Sequence, residues 1–99
     1  MFDKAKQIFE LQGKAKKLQK ELRNLEFTGE ELGGKVKVSA NGEQKITSIE
    51  IDDSLVNLDE KESLIKFVSQ ATNAALKKAQ QTAAQKTKEI MGGLGIPGL

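Results

Sequence analysis

Seven Lys and Arg residues stand among the first 25 positions, and their spacing is the first feature that could do chemistry. The stretch GKAKKLQKELRNL, residues 13–25, sets cations among regularly placed leucines. At the turn angle of a helix, Lys6, Lys16, Lys17, Lys20 and Arg23 fall opposite a seam of Ile8, Leu11, Ala15, Leu18, Leu22 and Leu25, and Lys14 extends the basic set. A second row, Lys66, Lys77 and Lys88, recurs every 11 residues, so it drifts by only about 20° per step round a helix. Lys78 stands beside it, and Gln70, Asn73 and Gln81 lie between. Ammonium groups interleaved with amides suit phosphate oxygens, because each donates a hydrogen bond without requiring a particular base. The same rows also suit a solvated helix face, and that alternative stays open. The shortage of balancing acids on these faces favours phosphate, since soluble helices usually mix signs for i, i+4 pairing.

Other chemistry finds little to rest on. There is no Cys and no His, which excludes disulfides and thiolate metal sites and removes the usual neutral-pH general base. Asp52, Asp53, Asp59 and Glu62 form a carboxylate cluster without the spacing of a calcium loop. Gly93-x-Gly95-x-x-Gly98 has the letters of a dinucleotide loop but lacks a preceding strand and a following helix. No metal, cofactor, small-molecule ligand or catalytic activity is expected. Four Phe with no Tyr or Trp, and Phe67 close to an apolar line, disfavour a single-strand stacking platform and favour contact with a duplex backbone. No uninterrupted apolar run could serve as a signal sequence or membrane span, so a cytoplasmic protein is expected.

The elements that must position these cations follow from periodicity. A net charge of +2 hides segregation: residues 1–25 carry +4, residues 26–60 carry −6 and residues 61–99 carry +4. That layout suggests basic arms around an acidic middle. Spacings of 3 and 4 along the leucine seam predict a helix from Phe2 to Leu25. Val36 and Val38 alternate before Asn41-Gly42, which predicts a hairpin with a two-residue turn and Val38 facing Lys45. Val36, Val38, Ile49 and Ile51 would share one face, with Ile46 on the other, either a lone exposed apolar residue or a contact with a second subunit. Phe27 and its neighbours are candidates for a third strand. Asp59 and Glu62 look like the start of a second helix reaching Met91, with an apolar line of Leu64, Val68, Ala71, Ala75, Ala79 and Ala83 that thins toward a freer tip. Gly92-Gly93 would stop it, leaving 92–99 as a flexible Gly/Pro tail after a single domain, 1–91.

Taken together, QGKAKKLQKELRNLE, GGKVKVSANG, ITSIEIDDSL, ATNAALKKAQ and GGLGIPGL resemble, in order and over nearly the whole chain, the YbaB/EbfC family of bacterial nucleoid-associated proteins. The resemblance implies an α+β homodimer with a central sheet and paired helices projecting like tweezers, binding DNA with little sequence preference at the nucleoid. The expectation is therefore a small antiparallel sheet flanked by long N- and C-terminal helices. Its partner would be double-stranded DNA, gripped, and bent or bridged, through phosphates. Leu18, Leu22, Leu25 and Ile46 are the candidate dimer contacts. A non-catalytic scaffold, in which the seam and arms receive a protein, is the alternative.

Overall fold

The computed structural model describes residues 2–93. The chain runs α1 (Phe2–Asn24), β1 (Glu26–Glu31), β2 (Val36–Asn41), β3 (Ile46–Ile51) and α2 (Lys61–Gly93), with short 3-10 turns at Leu32–Gly34, Asp53–Leu55 and Leu58–Glu60. The strands form one antiparallel sheet in the order β1-β2-β3, so the fold is α+β and the candidate third strand at Phe27 is present. The molecule is elongated, 67 × 23 × 18 Å. Among the described residues no helix is long and apolar enough to cross a membrane.

The core lies where α2 crosses β1 and β2. Alternation aims Val36, Val38 and Ala40 at the helix, and all three are fully buried. Leu55, Leu64, Phe67 and Val68 pack round Val36, Val38 and Ala71. Each buried valine contributes about 1.5–3 kcal/mol of transfer free energy. The alanine line keeps to the core through Ala79 and thins beyond it, where Ala83 is only half-buried. Ala71, Ala75 and Ala79 are all fully buried, because this is where helix and sheet come closest. Gly29 on β1, opposite Val38, makes that approach feasible: a Cβ there would strike the Ala71 carbonyl and lie 2.9 Å from the Ala75 nitrogen.

The hairpin differs from its expected register. Val38 pairs with Ile49 and Val36 with Ile51, and a bulge between Ser39 and Ala40 sets Ala40 opposite Ile46. Ile46 thereby joins the face of Val36 and Val38 rather than the opposite one. The cause is in the turn. Asn41 does not occupy a central turn position; its Oδ1 accepts from the Glu43 and Lys45 amides at 2.9 and 3.2 Å, and its carbonyl accepts from Gln44 N at 3.0 Å. The left-handed residue is Gln44, at φ +66°. Gly42 serves a contact instead: its amide donates to the Leu22 carbonyl at 2.7 Å, and a Cβ would lie 2.6 Å from that same oxygen.

The start of α2 is also shifted. Asn57, not Asp59, caps the entry: its Oδ1 accepts from Glu60 N at 2.9 Å while its Nδ2 donates to Glu60 Oε2 at 3.2 Å, which fixes the 3-10 turn that leads into α2. At the far end α2 includes Gly92 and Gly93, so the helix does not stop at Met91. The expected tail and the dinucleotide-like glycines lie, from residue 94 onward, outside the described residues.

Candidate nucleic-acid interface

α1 meets the rest of the molecule mainly at its C-terminal end. There Leu22 is buried against Gly42. Beside it Arg23 Nε donates to Glu43 Oε1 at 2.8 Å, and Gln19 Nε2 donates to Glu43 Oε2 at 3.3 Å. The guanidinium hydrogen bond holds the Glu43 carboxyl below its ordinary range, and the same bond raises Arg23. Glu43 belongs to the hairpin turn, so the turn latches the base of α1. Along the seam, Leu11, Ala15, Leu18 and Leu22 face Thr87, Ile90 and Met91 of α2 across an apolar groove of about 420 Å³. Lys86 Nζ meets Glu21 Oε1 at 3.4 Å, which places the two helices antiparallel.

The basic residues divide into two groups. Lys6, Lys14, Lys16, Lys17 and Lys20 on α1 are exposed and make no salt bridge among the described residues. Lys66, Lys77 and Lys88 on α2 are likewise exposed and unpaired there, spread along about 33 Å of helix. Arg23 and Lys78 are used by the body: Arg23 by Glu43, and Lys78 through a 2.7 Å hydrogen bond from Nζ to the Thr28 carbonyl. These partners lie 20 and 50 positions away, so sequence spacing held no sign of them. Lys14 and Lys17 line a shallow groove with Glu21, Glu89 and Ile90, and Glu10 stands one turn from both Lys6 and Lys14.

Phe9 sits on the same basic face. It is 78% exposed, and helical geometry turns it about 150° from the seam, between the azimuths of Lys16 and Lys20. Gly13, one turn on, has nothing near it, so the ring stands uncrowded on that side. Ile8 is also exposed, at 58%, but belongs to the seam.

A different surface is apolar. Lys78 reaching Thr28 fixes which flank of α2 lies over β1, and by helical geometry Ile65 and Leu76 fall on the opposite flank, toward β3. β3 is an edge strand that α2 does not cover, and Ile46 and Ile49 are 41% and 53% exposed on it. Ile65 is 52% exposed. Of the seam leucines expected at a dimer contact, Leu22 is buried within the protomer, while Leu18 and Leu25 are half-buried. No group of three or more acidic side chains is placed to hold a metal among the described residues. The Asp52 carboxylate accepts from the hydroxyl and the amide of Ser54, at 2.6 and 2.9 Å, and these bonds hold it below its ordinary range.

Residues 1–94 match the model of the YbaB/EbfC DNA-binding family. The chain is 39% identical over 93 residues to a nucleoid-associated protein of Desulfotalea psychrophila, covering 94% of this chain and 88% of that one. It is 40% identical over 94 residues to a nucleoid-associated protein of a Thermoanaerobacter species, covering 95% and 85%. The fold is similar to the crystal structure of an uncharacterized Helicobacter pylori protein, with a TM-score of 0.78 at 24% identity over 85% of this chain and 88% of that one.

Proposed function

The chain belongs to the YbaB/EbfC DNA-binding family, and from that premise we propose that it is a nucleoid-associated protein that binds duplex DNA as a homodimer. Contact is made through phosphates, by the unpaired lysines of α1 with help from those of α2. The observation that carries this reading is the division among the cations: the body holds Arg23 and Lys78, and leaves Lys6, Lys16, Lys17 and Lys20 in solvent on one face of a projecting helix. Such contacts read charge rather than base identity, so little sequence preference is expected. Two arms on one duplex would bend or bridge it.

The exposed Ile46, Ile49 and Ile65, with the half-buried Leu76 beside them, support a two-fold contact along β3. A pair of edge strands or apolar flanks meeting there would bury side chains that α2 leaves bare, and would put two sets of arms on one particle. On α1's seam Leu22 is occupied by its own protomer, while Leu11, Ala15 and Leu18 line the open groove that the scaffold alternative would use. Titration of a duplex at several salt concentrations, with light scattering on the same sample, tests both parts. Affinity should fall steeply and linearly in log–log form, on a particle of twice the chain mass. A salt-insensitive interaction, or a monomer that binds fully, would remove the reading.

A further inference from the structure

Single apolar side chains on a helix surface are common, but Phe9 is set apart by its neighbours. It lies on the face away from the seam, so packing of α1 on α2 cannot cover it. Lys6 stands about 4.5 Å before it along the helix axis and Lys16 about 10 Å after, so lysines able to reach phosphates bracket the ring. Gly13 weakens the helix by about 1 kcal/mol relative to Ala, and no packing in the body accounts for it. It removes the side chain that would otherwise stand one turn from the ring on the basic face. A helix face that carries cations, one bare aromatic and a glycine beside it can come closer to a duplex than phosphate contact requires.

We propose that Phe9 is a wedge that enters the base stack of duplex DNA between phosphates held by the α1 lysines. An apolar ring pushed against a base step partly unstacks it and kinks the duplex, at a cost that is least at flexible TA and CA/TG steps. Phe9 is then the residue that gives an otherwise phosphate-reading surface a preference for deformable DNA, and the one that makes the arm bend its target rather than merely hold it. The inference rests on the duplex-binding reading above.

The chain has no Trp, so Phe9→Trp in the full-length protein places a single reporter at the site. Its emission should be quenched on saturation with a duplex containing TA steps, and much less on a stiff A-tract duplex of equal length. Phe9→Ala should bind the flexible duplex about tenfold more weakly, as removal of one ring–base stack implies, with the salt slope unchanged. It should also abolish the end-to-end shortening measured by energy transfer between dyes on the duplex ends. Phe9→Leu, which keeps an apolar wedge, should retain part of the bend. Binding with the parent salt slope but no quenching, or an undiminished bend with Phe9→Ala, overturns the wedge and leaves the duplex-binding reading standing. A fall in particle mass with Phe9→Ala would make the ring a subunit contact and also overturn it. Absence of any duplex binding overturns both.

Discussion

The two long helices carry the same kind of amphipathic pattern and meet the sheet in opposite ways. α2 is clamped along its middle, where Ala71, Ala75 and Ala79 are buried and Gly29 lets backbone approach backbone. α1 is held near one end, by Leu22 on Gly42 and by the Glu43 latch, and faces α2 across a groove for the rest of its seam. Large apolar residues at heptad spacing therefore do not mark the better-buried helix here; small ones do. The physical reason is distance. A Gly and three Ala let two elements close to van der Waals contact over several turns, whereas leucines facing across a groove leave space between them. The functional consequence is that α1 stays raised from the body with its cations free, while α2 supplies the platform.

That contrast can be broken at the platform with the largest effect. Gly29→Ala should cost about 3 kcal/mol or abolish folding, because the new methyl strikes α2 backbone that cannot rotate away; thermal melting followed by circular dichroism checks it. Gly42→Ala attacks the other attachment. It should cost about 2 kcal/mol, with a loss of amide protection in α1 larger than that in α2, as read by hydrogen exchange. Gly13→Ala sharpens the comparison in the opposite sense: with nothing nearby to obstruct a methyl, it should stabilise α1 by about 1 kcal/mol and slow its exchange. Acid tests the latch with the smallest effect. The Glu43 carboxyl is held below its unfolded value, so its contribution is complete above the ordinary glutamate range and is lost as pH falls through the folded value. Asp52 acts in the same direction through Ser54. Glu43→Gln should therefore remove part of the acid-side decline in melting temperature, leaving the Asp52 part.

Much of this architecture is legible in residue order. The seam from Ile8 to Leu22 marks α1 through its 3-4 spacing, and alternation at Val36 and Val38 marks the central strand, because both periods follow from backbone geometry alone. What escapes such reading depends on contacts distant in sequence. Asn41-Gly42 has the letters of a tight hairpin turn. Yet Asn41 spends its side chain on two amides, and Gly42 is needed for its closeness to Leu22, 20 positions earlier, so the register moves and Ile46 changes face. The alanine line is read as fading hydrophobicity because its partner Gly29 contributes no hydrophobicity of its own. At the interface the basic set is legible as a set. Which members remain free is not, since Glu43 and the Thr28 carbonyl claim theirs only through the fold. The position of Phe9 opposite the seam follows from the same helical period, and what the fold adds is its 78% exposure.

The central claim is that cations left free on α1 hold DNA phosphates. Its most direct test changes Lys6, Lys16, Lys17 and Lys20 together to Gln, which preserves helix propensity and leaves the seam untouched. Binding to duplexes of several sequences is then measured across salt. If these lysines hold phosphates, every duplex should bind more weakly and to a similar degree, and the log–log salt slope should shrink by about 0.9 for each phosphate that is no longer neutralised. A folded variant with the affinity and salt slope of the parent would contradict the claim, because the lysines would then be no more than a solvated face.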